Sequence, residues 1–239
     1  MCRGLAFFLP GTHSKVPAVN HPSKIRQCWW PWLLAGAAVV GLAFLFDERV
    51  VTALDVTQVG PLKTFAEICS EAGEGWVIAV AGILLALFFF FLRRSHTAAR
   101  IFFVALTSEL VGLAVVILRL IFGRARPLNH DVPPGFYGLW HDGHWVVGQF
   151  KFSSFPSGHA ATAAGLVAAT WLLHRGWALA LMPYALVVIW SRIALQCHHL
   201  SDVLTSTLLA IVMAVWLKPR LLPTVEFQFT NLYHAVWRK

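Results

Sequence analysis

Six apolar runs constrain the fold of this chain more than any other feature of its sequence. Each has about the length that a helix needs to cross a hydrocarbon core of roughly 30 Å; they are Trp29–Phe46, Gly75–Leu92, Ile101–Phe122, Ser157–Leu173, Trp177–Leu195 and Val203–Leu217. With 58% hydrophobic and only 13% charged residues, the chain is too apolar for an ordinary soluble domain. We therefore predict an all-α, polytopic membrane protein with a six-transmembrane-helix bundle.

The same runs divide the chain into three parts. We predict an N-terminal segment over residues 1–28, one membrane domain over residues 29–217 and a C-terminal tail over residues 218–239. The first run begins late and no convincing small-residue cleavage site accompanies it, so we expect it to be retained as a span.

Charged residues between the runs predict the topology. The short connections Arg93–Arg100 and His174–Gly176 are basic, and so are both ends of the chain, whereas the connection Asp47–Glu74 is mainly acidic. Lys and Arg concentrate in cytoplasmic loops of membrane proteins. Both termini and the two short basic loops are therefore predicted in the cytoplasm, and the connections after spans one, three and five on the opposite side.

The net charge of +8 does not indicate nucleic-acid binding, because Lys and Arg are dispersed between apolar runs and form no basic face. The four cysteines show no paired Cys-x-x-Cys spacing. A disulfide between Cys69 and Cys197 is conceivable if both face an oxidising compartment, but the favoured interpretation is isolated thiols.

The first polar motif is Arg119-x6-Arg126-Pro127, at the end of span three. If the helix persists, two residues seven apart lie on roughly the same face, so both guanidinium groups can reach one anion. Proline disfavours helical geometry in the residue before it, which predicts that Arg126 lies where the helix gives way to a loop. Taken alone, the pair also fits arginines that mark a helix end, and Arg124 is interpreted in this way.

The second motif is Pro156-Ser157-Gly158-His159, at the start of span four. Proline suits the first position of a helix and an upstream serine can cap it, which leaves backbone N–H groups available for an anion. Gly158 allows close approach to the backbone, and the Ser157 hydroxyl can donate to a phosphate oxygen. The alternative is a plain helix cap with an interfacial histidine.

The third motif is Ser191-Arg192-x5-His198-x3-Asp202. If His198 and Asp202 share a helical face, the carboxylate can accept from one imidazole nitrogen and leave the other free to attack. Arg192 adds a planar donor fork suited to phosphate oxygens. A structural pair or a proton relay remains an alternative.

Further histidines occur in the connection Asn129–Lys151, where the sequence His141-Asp142-Gly143-His144 raises the question of a metal site. We do not favour one, because the segment is a Gly-rich loop that lacks a rigid scaffold and obvious further ligands. The connection is instead predicted to shape the mouth of the site. We expect His199 to point away from His198, since adjacent residues of a helix do not share a face.

Together, the three motifs resemble those of the type 2 phosphatidic acid phosphatase (PAP2) superfamily, which also contains vanadium haloperoxidases and bacterial acid phosphatases. The family's motifs are usually Lys-x6-Arg-Pro, Pro-Ser-Gly-His and Ser-Arg-x5-His-x3-Asp, and this chain has their counterparts in the same order. One departure is Arg119, which occupies the usual lysine position and changes the reach and donor geometry there. Six spans disfavour a haloperoxidase.

This resemblance implies a role for each motif residue. His198 would attack phosphorus to form a phosphohistidine, Asp202 would orient it, and His159 would protonate the leaving oxygen. The residues implied in phosphate binding are Arg119, Arg126, Ser157, Gly158 and Arg192. No metal or other cofactor is implied, because the guanidinium groups neutralise the phosphate.

The implied function is dephosphorylation of a membrane lipid phosphate or diphosphate at the outer face of a bacterial inner membrane. Undecaprenyl diphosphate, phosphatidylglycerol phosphate and lipid A phosphate are candidate substrates. Two alternatives remain open: a lipid phosphotransferase that uses the same histidine, and a phosphate-binding transporter without turnover.

Overall fold

The computed structural model of the protein describes residues 30–237, and the predicted N-terminal segment 1–28 lies outside them. Eight α-helices are found within the described residues, namely α1 (Trp30–Ala43), α2 (Asp47–Leu54), α3 (Gly60–Ala72), α4 (Gly75–Phe91), α5 (Ser95–Phe122), α6 (Gly158–Leu173), α7 (Arg175–Ala194) and α8 (Leu200–Trp237). A two-stranded antiparallel hairpin, β1 (Trp140–His141) and β2 (His144–Trp145), lies between α5 and α6. The prediction of a helical protein is confirmed apart from this hairpin.

Small residues let the helices pack closely. α5 contacts α4, α6 and α8, and α6 also contacts α7 and α8. Their contact surfaces contain many fully buried alanines, and added Cβ atoms at Gly82 and Gly112 would overlap Ala105 and Thr162. Helix association in a bilayer depends on such close van der Waals packing, since lipid is as apolar as leucine.

Three of the described helices, α5, α7 and α8, are each long and apolar enough to cross a membrane, and up to five spans result if each bent helix pair counts as one. The bent pairs are α1 with α2, at 68°, and α3 with α4, at 55°. α6 is apolar but has only 16 residues. The protein is therefore a helical membrane protein with three to five candidate spans by this measure.

The connection Asp47–Glu74 contains two helices that the sequence analysis did not predict. α2 begins directly after the first apolar run, and α3 begins at Gly60 with a proline in its first turn. Both pack against α7. The sequence analysis used it only as an acidic connection between spans, whereas its buried residues include Asp47 and Ser70.

α8 continues well past the predicted end of the sixth span, so the described part of the predicted tail is helical. Lys218 donates to the Leu172 carbonyl at the end of α6, at 2.6 Å. Beyond it, Val225 packs against Phe103 of α5. Glu226 accepts from Arg100 at 3.1 Å, and the far end of α8 is therefore fixed beside the turn between α4 and α5.

The loop between α5 and α6 is anchored to the end of α5. Gly123 ends that helix with φ +57°, and a side chain there would overlap the Gly138 carbonyl. In the hairpin turn Asp142 and Gly143 have φ values of 47° and 79°. The His-Asp-Gly-His sequence is thus a tight hairpin turn, in which His141 pairs with His144 across the strands.

The close contact between Gly82 of α4 and Ala105 of α5 can be tested by exchanging the two residues. We expect Gly82→Ala to destabilise the protein by about 1–3 kcal/mol, because the methyl group of Ala105 leaves no room for a second one. The double variant Gly82→Ala/Ala105→Gly should recover most of the loss. Gly41→Ala is the control, since nothing lies within 4 Å of its added Cβ. Thermal unfolding in detergent measures the effect, and equal midpoints for the two single variants would contradict it.

Candidate active site

The three polar motifs meet where α5 ends, α6 begins and α7 turns into α8. Arg119 is in the last turn of α5, and Arg126 follows in the loop, with its N–H bonded to the Lys151 carbonyl at 2.9 Å. Arg192 is in the last turn of α7. The loop position of Arg126 agrees with the expectation from Pro127.

Ser157 is the N-cap of α6, but its side chain makes no capping hydrogen bond. The helix begins at Gly158, so Pro156 precedes the cap and does not occupy the first helical position that the sequence analysis gave it. The Ser157 side chain is fully buried. Its hydroxyl and the free N–H groups of the first turn are therefore available to an anion.

Gly158 makes room for Arg119. A Cβ atom built on Gly158 would lie 3.3 Å from a terminal nitrogen of Arg119. The guanidinium group thus packs over the bare backbone of the first turn of α6. Through this contact, the first residue of the Arg119 motif lies against the glycine of the Pro-Ser-Gly-His motif.

Arg126 and Arg192 are buried and held by uncharged partners. Arg126 stacks over the Phe150 ring at 3.7 Å, and Arg192 donates to the Ser70 hydroxyl. Burial lowers the pKa of Arg126 to about 10, and repulsion from Arg192 and Arg119 adds to the effect. Arg126 is still protonated at neutral pH.

The three arginines of the motifs have no carboxylate partner among the described residues. Among the ion pairs formed by the described residues, none includes Arg119, Arg126 or Arg192. Ten buried side-chain nitrogen or oxygen atoms of the described chain have no hydrogen-bond partner, and five of them are here: Arg126 Nε and Nη1, Ser157 Oγ, Arg192 Nε and His198 Nε2. Buried polar groups are rarely left unpaired. The cluster is suited to an oxyanion that accepts from several donors at once.

His198 presents one free nitrogen to the same cluster. Its side chain is fully buried, and its Nδ1 lies 2.6 Å from the Ser154 carbonyl oxygen. Because a carbonyl only accepts, Nδ1 carries the proton and Nε2 has the free lone pair. Burial lowers the pKa of His198 to about 3, and Asp202 opposes this only in part. The imidazole is therefore neutral at physiological pH.

The expected hydrogen bond between Asp202 and His198 is not formed. The carboxylate lies 3.8 Å from Nδ1, beyond hydrogen-bonding distance. The prediction assumed that both residues share a helix, but α8 begins at Leu200 and His198 precedes it. The Ser154 carbonyl orients the imidazole instead.

Asp202 acts on the site through other groups. It accepts from the Ser154 hydroxyl at 2.5 Å and from the His199 N–H at 2.8 Å, and from Arg124 at 2.5 Å. Arg124 is only 7% exposed, so its interpretation as an interfacial arginine is wrong. His199 also approaches Asp202 with its ring, at 3.4 Å.

Three residues of this site were missed by sequence reasoning. Ser154 was considered only as a possible helix cap, while Asp47 and Ser70 belong to the acidic connection. No spacing relates Asp47 or Ser70 to the motifs, since their contacts span 77 to 154 positions of the chain. A clue was available for Asp47, an acid placed directly after an apolar run.

His159 is in the first turn of α6. It lies within electrostatic range of Arg192, His198, Arg119 and Arg126. Within residues 30–237, no group of three or more His, Cys, Asp and Glu side chains is arranged to hold a metal ion. Cys69 and Cys197 are free thiols in the structure.

The contact between Arg119 and Gly158 predicts a coupled pair of substitutions. We expect Gly158→Ala to lower kcat/KM about three- to tenfold, because the methyl group displaces the guanidinium group by a few tenths of an ångström. Arg119→Lys in the same chain should recover part of the loss, since an ammonium group is slimmer. Rates of phosphate release from the two variants check this. A double variant no better than Gly158→Ala would contradict the steric explanation.

Comparison with known proteins identifies the family of this chain. A sequence model of the PAP2 superfamily matches residues 98–222. The chain is 29% identical to a lipid A 1-phosphatase of Rhizobium johnstonii over 70% of each chain. It is 27% identical to a lipid A 1-phosphatase of Rhizobium etli, over 74% of this chain and 78% of the relative. The crystal structure of Aquifex aeolicus LpxE aligns with a TM-score of 0.47 and 22% identity, over 72% of this chain and 93% of that one. The superfamily model covers just over half of the chain, which therefore belongs to the PAP2 superfamily, as a hydrolase of the phosphatase type.

Proposed function

We propose that this protein removes phosphate from a membrane lipid phosphate or diphosphate, without a metal, through a phosphohistidine on His198. The observation that carries the proposal is the set of five unpartnered atoms around one space, four donors and one nucleophilic nitrogen. A phosphoryl group supplies acceptors for those donors and an electrophile for that nitrogen.

In the first step His198 Nε2 attacks phosphorus and the bond to the lipid oxygen breaks. Arg119, Arg126 and Arg192 neutralise the equatorial oxygens, while Ser157 and the Gly158 N–H donate to them. His159 gives the leaving oxygen its proton. The Ser154 carbonyl fixes the ring orientation throughout and, with Asp202 close by, stabilises the positive charge that develops on the imidazole.

In the second step water attacks the phosphohistidine and the N–P bond breaks. His159, deprotonated by the first step, now accepts the proton of the water. Inorganic phosphate leaves and His198 returns to its neutral form. The same residue thus acts first as acid and then as base.

The substrate class rests on the setting of the site in a membrane protein. A lipid keeps its acyl chains in the bilayer while its phosphate enters the cluster. The two Rhizobium relatives, named as lipid A 1-phosphatases, favour a lipid A phosphate among the candidates. Phosphatidylglycerol phosphate and undecaprenyl diphosphate carry the same reactive group and belong in the same panel.

For the membrane arrangement we propose six spans, formed by α1, α4, α5, α6, α7 and the part of α8 before Lys218. The basic turn Arg93–Arg100 and the site are at opposite ends of α5, which at 28 residues is about 42 Å long. The positive-inside rule then supports cytoplasmic termini and a site on the outer face of a bacterial inner membrane.

Replacement of His198 tests the reaction. We expect His198→Ala to abolish phosphate release, a loss of at least about a thousandfold, because the proposed phosphohistidine cannot form without this imidazole. His144→Ala is the matched control, since His144 is in the exposed hairpin and should leave the rate unchanged. Release is measured on lipid A 1-phosphate, phosphatidylglycerol phosphate, undecaprenyl diphosphate and a water-soluble phosphomonoester. Unchanged release by His198→Ala would refute the mechanism.

The same assay separates the alternatives. Added lipid alcohol should not change the yield of inorganic phosphate, whereas a phosphotransferase would divert phosphate to the acceptor. A transporter would bind phosphate and release none from any lipid. Acid-labile label on the wild-type chain, absent from His198→Ala, identifies the phosphohistidine.

Thiol labelling tests the topology. We expect Asp142→Cys in the hairpin to react with a membrane-impermeant maleimide in intact spheroplasts, and His96→Cys to react only after permeabilisation. Both side chains are exposed, so accessibility is matched, and the unsubstituted chain gives the background of the native cysteines. The reverse pattern would place the site in the cytoplasm.

A further inference from the structure

Arg124 lies between two carboxylates. One terminal nitrogen donates to Asp47 at 2.7 Å and the other to Asp202 at 2.5 Å. Ser201 joins the same group, because its hydroxyl accepts from Arg124 and donates to Asp47 at 2.6 Å. The rings of Phe44 and Phe136 each lie 5.0 Å from the guanidinium carbon. This arrangement leaves Arg124 with its charge fully paired.

A continuous series of contacts joins this group to the nucleophile. Asp47 contacts Arg124, Arg124 contacts Asp202, and Asp202 accepts from the Ser154 hydroxyl. The carbonyl of Ser154 then holds His198 Nδ1. In addition, the Ser154 N–H donates to the Arg124 carbonyl at 3.0 Å. Every member between the ends is buried.

We propose that Asp47 is a positioning residue for His198, which acts through Arg124 and Asp202 and makes no contact with the substrate. Asp47 is in α2, outside residues 98–222, the part matched to the superfamily model. The proposal rests on the function proposed above and names a further residue of the same site.

The physical reason is competition for Asp202. Its carboxylate serves Arg124 with one oxygen, and the Ser154 hydroxyl and His199 N–H with the other. Asp47 takes half of the donor fork of Arg124. Without the negative charge of Asp47, we expect both terminal nitrogens of Arg124 to donate to Asp202, since a buried guanidinium group is stabilised by a bidentate carboxylate. The Ser154 hydroxyl then loses its acceptor, and the carbonyl that fixes the His198 ring is held less firmly, by the backbone bond to Arg124.

Asp47→Asn tests the proposal with the smallest change of shape. The amide oxygen can still accept from the Ser201 N–H, which Asp47 binds at 2.8 Å at the start of α8. We expect kcat on a water-soluble phosphomonoester to fall about tenfold or more, with KM and the inhibition constant of inorganic phosphate within about twofold of wild type. Loss of positioning slows the attack but leaves the phosphate donors in place.

Three further variants make the outcome decisive. Glu48→Gln removes the neighbouring acid, which is exposed, and should behave as wild type. Asp47→Glu restores the charge and should recover part of kcat. Arg124→Lys removes the residue between the two carboxylates, because one ammonium group does not reproduce the two separate contacts of the guanidinium group with Asp47 and Asp202. It should therefore reproduce the fall in kcat at unchanged phosphate inhibition.

A wild-type kcat in Asp47→Asn overturns the proposal, and so does a fall in kcat that is accompanied by an equal weakening of phosphate inhibition. If Asp47→Asn does not fold, Arg124→Lys decides by the same criteria. Wild type and His198→Ala are assayed alongside. Equal phosphate release by these two refutes the proposed function, whereas a normal difference between them with an unaffected Asp47→Asn refutes only the role of Asp47.

Discussion

The site depends on three neighbouring guanidinium groups, two buried and one half-buried, that form no ion pair with a carboxylate of the described residues. Arg119, Arg126 and Arg192 repel one another, and their contacts within residues 30–237 are with a hydroxyl, an aromatic ring and a bare helix turn. Arg124, a few residues away, has two carboxylates. The fold therefore separates Arg124, whose charge is neutralised by two carboxylates, from three arginines whose charges are not paired in this way.

The part of the site that could be predicted from sequence consists of the residues of the three short motifs. Pro127 predicted that Arg126 lies where the helix gives way to a loop, and α5 does end at Phe122. The tetrapeptide ending in His159 is continuous, so its members lie together at the start of α6. The apolar runs likewise marked the helices that hold them. The ends of these helices were predicted less well, because hydropathy does not show that α8 continues as a helix beyond Leu217.

The rest required tertiary structure. Asp47 and Ser70 reach the site from a segment whose composition indicates a loop, and burial alone distinguishes them from the exposed acids beside them. The partner of His198 was misassigned because the helix was assumed to start before the histidine. The chain is not helical at residues 195–199, and the imidazole of His198 contacts the Ser154 carbonyl. A backbone carbonyl is present in every residue, so the sequence does not indicate this partner.

The shortness of α6 has a consequence for how substrate and water meet. Sixteen residues extend about 24 Å, less than the roughly 30 Å hydrocarbon core, whereas α7 with 20 residues matches it. In the proposed six-span arrangement, this shortfall places the first turn of α6, with its serine and glycine, below the head-group layer. A lipid head group can reach such a position sideways from the leaflet, without being lifted from the bilayer. The water that hydrolyses the intermediate has to reach the site through the head-group layer. The thickness of the membrane therefore affects how easily this water reaches the first turn of α6.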